Sequence, residues 1–166
     1  VLIKKETKGP IIFKQTREGI NGKPFTCYKF RSMGVNKNAD KIQATKGDLR
    51  VTKIGQKIRK TSIDELPQFI NVLLGDMSVV GPRPHMYSQS EIFKTTVSKY
   101  MVRHFVKPGI TGLAQVKGYR GEIETDRDIK NRVKYDIFYV ENWSFFLDMK
   151  IILQTIGVFK GEDKAY

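Results

Sequence analysis

Cysteine is almost missing from this chain. Cys27 stands alone, so no disulfide can form within the sequence and a reducing compartment is indicated. With no histidine near it in sequence, Cys27 reads as a small core residue and not as a nucleophile. Acidic residues are scarce as well. Seventeen Asp and Glu face 30 Lys and Arg, a net charge of +13, which points to an anionic partner without choosing among nucleic acid, anionic membrane and phosphorylated small molecules. Long apolar runs are missing too: the most apolar stretch, Phe145 to Phe159, is interrupted by Asp148, Lys150 and Gln154, which excludes a spanning helix, and no signal peptide is read. Neither internal repeats nor low-complexity tracts occur. What is present is 166 residues with 40% hydrophobic content, enough for one domain over 1–166 with a proper core.

The chain opens on an apolar Val1-Leu2-Ile3 followed at once by Lys4 and Lys5. That pattern fits the cytoplasmic end of a membrane segment, implying something upstream, and equally a core strand. Strands are expected at Ile11 to Gln15 and Phe25 to Met33, with Phe25, Cys27, Lys29 and Arg31 sharing one face under period-two alternation. Asn36 to Asp48 reads as a polar loop and Lys53 to Lys60 as a short basic helix. The stretch Arg59 to Pro84, RKTSIDELPQFINVLLGDMSVVGPRP, is the densest in chemistry. Pro67 lacks an N–H and is tolerated only in a first helical turn, which makes Asp64 the expected N-cap in preference to a Ser62–Glu65 capping box. Gly75 should close that helix.

Further on, Ser88 and Glu91 form a second possible capping box, opening a helix that lines up Phe93, Val97, Tyr100, Met101 and His104. His104 there reads as a core histidine. The glycine-rich Lys107 to Gly121 is expected as loop with a short strand or turn at Leu113 to Val116; its glycines serve either turns or close approach to a ligand. Thr125 should cap a helix to Val140. About two turns separate Ile129 from Asp136, so a carboxylate falls in the apolar stripe and needs a cation, a metal or several donors. A last helix from Ser144 carries an unusually wide apolar face, explained by core packing or by a bilayer interface. The fold expected is α/β, mainly helical with a small sheet.

Asp64 is expected to be held anionic by the helix start and by Arg59 and Lys60. An ionised carboxylate can attack phosphorus and give an acyl phosphate, which keeps the transfer potential of the anhydride it came from. Glu65 suits Mg²⁺, which takes one or two carboxylates plus substrate phosphates. Arg83, between Pro82 and Pro84, offers a guanidinium fork to a phosphate at little entropic cost. These parts suit phosphate chemistry but name no reaction.

Four blocks in order do more: KFRSM at Lys29 to Met33, the Arg59 to Pro84 stretch, KPGITGLAQVKG, and RVKYDIFYVENWSFFLDMKIILQTI. Together they resemble the bacterial sugar transferase family, the monotopic polyprenyl-phosphate phosphoglycosyl transferases, across nearly the whole chain. The resemblance implies a catalytic domain with amphipathic interfacial helices at the cytoplasmic face of the bacterial inner membrane. It implies transfer of a sugar-1-phosphate from a UDP-sugar to undecaprenyl phosphate, with UMP released and Mg²⁺ required, at the start of capsule, O-antigen or exopolysaccharide assembly. By the same resemblance Asp64 is the nucleophile, Glu65 its catalytic partner, and Lys29, Arg31, Arg59, Arg83 and Arg120 bind phosphate or substrate. Asp64, Glu65 and Asp136 are the expected metal ligands. Family members carry a hydrophobic segment just before the block like Lys8 to Gln15, so the resemblance implies that the residues here are the catalytic domain without that segment. A nucleic-acid-binding module is disfavoured because the cations cluster around carboxylates, not stacking aromatics. A phosphohydrolase working through an aspartyl phosphate is the other alternative.

Overall fold

The computed structural model describes residues 2–36, 44–45 and 47–161, the side chains of 158–161 excepted. Most of the expected Asn36 to Asp48 loop, Val1 and the Phe159 side chain lie outside the described residues. The fold is mixed α/β and mainly helical, as the sequence pattern implies.

Helix α1, Leu2–Glu6, leads to an antiparallel hairpin of β1, Ile12–Glu18, and β2, Pro24–Phe30, whose register pairs Gln15 with Cys27. Leu2 and Ile3 are therefore helical, and the strand alternative falls for them. Glu6 receives the Lys53 and Ile54 N–H groups, both at the start of α2, Lys53–Lys60. A carboxylate at a helix N-terminus answers donors that have no partner in the helix itself. After α2 a 3-10 turn, Ile63–Glu65, feeds α3, Gln68–Leu74, which ends on Gly75 in the left-handed region at φ 86°. Glycine adopts that conformation without a Cβ penalty.

Asn71 locks α3 to the hairpin. Its side-chain oxygen accepts from the Tyr28 N–H at 3.0 Å and its amide donates to the Thr26 carbonyl at 2.7 Å, so one side chain satisfies the outer edge of β2 as a further strand would.

Strand β3, Ser78–Val80, pairs in parallel with β4, Gly109–Thr111. Neither was expected, because three residues carry too little alternation to read. Between them run α4, Tyr87–Thr96, and a 3-10 segment, Tyr100–Phe105. The single helix expected from Ser88 through His104 is broken: α4 ends at Thr96, Val97 is extended at φ −114° and ψ 116°, and Lys99 then turns left-handed at φ 58°. Ser88 lies inside α4, and Glu91 pairs with Lys94 instead of forming a capping box. His104 is buried, as read, with Nε2 3.2 Å from Glu18. Burial and the neighbouring Arg103 bring its pKa down to about 4.

After β4 come α5, Leu113–Val116, α6, Asp126–Glu141, and α7, Phe145–Gly161. Leu113 to Val116 is thus one helical turn, not a strand. The glycines just before it serve contact between backbones: a Cβ at Gly109 would lie 2.1 Å from the Gly81 nitrogen, and one at Gly112 2.2 Å from the Gly81 oxygen. The Thr125–Asp128 capping box of α6 is formed. Val80, Leu113, Tyr139 and Ile151 make one buried cluster, and Val97, Tyr100, Ile129 and Val133 another. The surplus apolar residues of α3 and α7 stay outside, with Leu73 88%, Phe146 82% and Leu153 70% exposed. No helix among the described residues is long and apolar enough to cross a membrane.

Candidate active site

The two adjacent carboxylates are presented by a turn that Pro67 shapes. An α-helical bond to the Ile63 carbonyl would need the N–H of Pro67, which does not exist, so Leu66 donates to it from three residues on, at 3.2 Å. The chain winds as a 3-10 turn through Asp64 and Glu65, and α3 starts only at Gln68. Asp64 is therefore not the N-cap, and the Glu65 N–H is taken by the Ser62 carbonyl at 3.0 Å. The helix N–H groups expected to support Asp64 are spent on the chain itself. Ser62 turns the corner at φ 55°, a costly conformation for a residue with a Cβ, and its hydroxyl accepts a hydrogen bond from Arg120.

Glu65 is gripped. Its Oε1 accepts from Lys29 Nζ at 2.9 Å and from Arg83, and its Oε2 accepts from a second Arg83 nitrogen at 3.1 Å. Arg120 stands 3.6 Å from the same Oε2. Burial alone would raise this carboxyl; the Arg83 and Lys29 cations overcome it and hold Glu65 well below the ordinary glutamate value. Asp64 differs. Among the described residues no hydrogen bond is made to its carboxylate. Burial first, and then the Glu65 charge, push its pKa above the ordinary aspartate value, and Lys29, Arg59 and Arg83 offset this only in part. The pair thus consists of one anchored carboxylate and one with open lone pairs.

Both carboxylates line a cavity of about 290 Å³, together with Lys29, Arg31, Arg59, Arg83 and Arg120. A second cavity of about 210 Å³, walled by Leu66 and Phe69 from the α3 side and Ile152 and Ile156 from α7, also reaches Glu65 and Arg120. A cation-rich space and a nearly wholly apolar one therefore meet at the same two side chains.

Of the residues singled out in the sequence, Asp64, Glu65, Lys29, Arg59, Arg83 and Arg120 come together here. Arg31 borders the cavity, but its guanidinium is spent on Thr7 and on the Pro10 and Met33 carbonyls, at 2.6 and 3.2 Å for the latter two. It ties down the N-terminal segment. Asp136 does not join the pair. It is 2% exposed and bonded to Arg103, and no group of three His, Cys, Asp or Glu among the described residues is placed to hold a metal ion. The need of Asp136 for a cation, a metal or several donors was legible in the sequence; that Arg103 answers it was not. Asp64 and Glu65 fit Mg²⁺ by themselves: Asp64 offers both oxygens, Glu65 keeps acceptor capacity on Oε2, and substrate phosphates and water complete such a shell.

Three further residues matter here in roles that the sequence did not give them. Asn71 places α3, and Ser62 makes the corner. His85 borders the cavity with Nδ1 2.8 Å from the Tyr100 hydroxyl, and burial holds it neutral. Only the Ser62 side chain had any sequence signal, and it pointed to a capping box that does not form.

The chain matches the bacterial sugar transferase family over residues 1–161. It is similar to two proteins named UDP-glucose:undecaprenyl-phosphate glucose-1-phosphate transferase. One is from Klebsiella pneumoniae, 57% identical over 160 residues, covering 96% of this chain and 34% of that protein. The other is from Escherichia coli (strain K12), 53% identical over 161 residues, with 96% and 34% covered. It is also 46% identical over 158 residues to a UDP-N-acetylgalactosamine-undecaprenyl-phosphate N-acetylgalactosaminephosphotransferase from Aeromonas hydrophila, covering 94% of this chain and 37% of that protein. The chain spans about a third of the length of these relatives.

Proposed function

Because this chain belongs to the bacterial sugar transferase family, we propose that it carries the site that moves a sugar-1-phosphate from a UDP-sugar to undecaprenyl phosphate. The observation that carries the reading is the meeting of a cation-lined cavity and an apolar cavity at Glu65 and Arg120. Such a junction suits one water-soluble phosphate donor and one lipid acceptor.

The un-hydrogen-bonded Asp64 carboxylate attacks the sugar-bearing phosphorus of the donor. The bond from that phosphorus to the bridging oxygen breaks, and UMP leaves with the electron pair. The aspartyl phosphosugar that results is an acyl phosphate, about as energetic as the anhydride it replaced. A phosphate oxygen of the lipid then attacks the same phosphorus and Asp64 leaves as carboxylate. The exchange is balanced without net proton transfer. Lys29, Arg59, Arg83 and Arg120 spread their charge over the phosphoryl oxygens, and Glu65 holds Lys29 and Arg83 in register until substrate arrives. Mg²⁺, held by Asp64 and Glu65, would supply further neutralisation of phosphate charge. UDP-glucose is the favoured donor, from the names of the two relatives above 50% identity. The exposed apolar faces of α3 and α7 would rest on the membrane that holds the lipid.

The test supplies UDP-glucose, undecaprenyl phosphate and Mg²⁺ to the protein in membranes and measures UMP, with mass spectrometry for a glucose-phosphate adduct. Asp64→Asn should abolish both. Wild-type UMP release by that variant would show that Asp64 is not the nucleophile, and free inorganic phosphate as the product would point to hydrolysis.

A further inference from the structure

Arg103 is 2% exposed, as is Asp136, and its guanidinium has three partners from three parts of the chain. Nε donates to Asp136 Oδ2 at 3.0 Å, with NH2 2.9 Å from the same oxygen. NH1 reaches the Tyr100 hydroxyl at 3.4 Å, and NH2 donates to the main-chain carbonyl of Arg83 at 2.5 Å. That last bond ties Arg103, which does not line the cavity, to Arg83, which does. Arg83 stands between two prolines, so the segment Pro82–Arg83–Pro84 has few N–H groups by which to be held and is gripped by its carbonyls. Gly109 donates to the Pro82 carbonyl at 2.9 Å, Arg17 to that of Pro84 at 3.4 Å, and Arg103 to that of Arg83. On the other side of the same residue the Arg83 guanidinium is paired with Glu65.

A buried ion pair is a poor device for stability alone, since apolar side chains of similar volume commonly serve as well or better. What a charge-backed planar fork adds is direction. We infer that Arg103 and Asp136 are positioning residues: Asp136 fixes the Arg103 fork, and the fork fixes the backbone at Arg83 so that its guanidinium faces the donor phosphate. This rests on reading Arg83 as a phosphate contact in the proposed function. It also gives Asp136 a role that needs no metal.

The probe is inorganic pyrophosphate, with binding measured by calorimetry alongside the UMP assay, for Arg103→Lys and Asp136→Asn, each made alone and combined with Arg83→Ala. Circular dichroism at the assay temperature establishes that each variant is folded, and if Asp136→Asn is not, Arg103→Lys decides. Each should weaken pyrophosphate about tenfold, the scale of one lost hydrogen bond to a charged group, and should change it by less than about twofold once Arg83 is gone. Asp136→Asn is the sharper arm. Removing a negative charge should tighten anion binding by bulk electrostatics, whereas lost positioning weakens it.

Equal losses with and without Arg83, tighter binding in Asp136→Asn, or no loss in Arg103→Lys would each overturn the inference. So would an Arg83→Ala variant that binds pyrophosphate as well as wild type. A wild type that binds pyrophosphate but releases no UMP would sink the transferase reading and leave this arm decisive for the pair.

Discussion

One peptide bond separates Asp64 and Glu65, yet their surroundings drive them in opposite directions. Glu65 is answered by Lys29 and Arg83 and is held ionised far into acid; Asp64 is pushed upward by burial and by Glu65 itself. A nucleophile must be ionised, and a raised pKa means that protonation removes it at a higher pH than for an ordinary aspartate. The acid limb of the UMP-release profile should therefore lie above the usual aspartate range of about 4. Arg59 is one of the cations that pull Asp64 back down, so Arg59→Gln should move that limb further up, as a pH–rate series would read. A limb left in place by Arg59→Gln would mean that another group sets it. The adjacency of the carboxylates was legible in DEL; the opposite shifts of their pKa values were not, because Lys29 arrives from 36 residues away and Arg83 from 18.

At the scale of elements, the site depends on how α3 meets β2. Asn71 is fully buried and answers two backbone groups of β2. Asn71→Ala would strand the Tyr28 N–H and the Thr26 carbonyl, and the expected loss is about 1–3 kcal/mol of unfolding free energy in urea, the cost of unsatisfied buried polar groups. A change under about 0.5 kcal/mol would mean that water replaces the amide. The longer elements α2 and α6 and the β1–β2 hairpin could be read from periodicity and turn residues. β3 and β4 could not, because their pairing is non-local and backbone-driven: Gly81, Gly109 and Gly112 let two loops touch main chain to main chain. The break between α4 and the 3-10 segment was hidden for the opposite reason. Its apolar spacing stays helical while a local left-handed turn at Lys99 changes the direction of the chain.

For the whole molecule, a net charge of +13 coexists with apolar side chains on α3 and α7 that face solvent. Exposed apolar area of this kind marks a contact surface. Cosedimentation with vesicles containing anionic lipid should fall as salt rises, because each basic residue near such a surface contributes about 1 kcal/mol and screening removes it. Leu73→Glu combined with Phe146→Glu should weaken binding at every salt concentration. Binding that ignores salt would assign the contact to the apolar faces alone, and binding that ignores the double variant would assign it to charge alone.

The β1–β2 hairpin, α2 and α6, the carboxylate pair, the rigid arginine between prolines and the surplus of apolar residues in the last helix were all determined by sequence, since each rests on local chemistry or spacing. Tertiary structure decided the rest. It turned Pro67 from a sign of an N-cap into the cause of a 3-10 turn, gave Asp136 Arg103 as its partner, and carried the apolar surplus to the surface. It also brought a cation-lined cavity and an apolar one to the same glutamate. Those outcomes depend on which distant groups answer a buried charge or an unpaired backbone atom, and partners far apart in sequence carry no periodic signal.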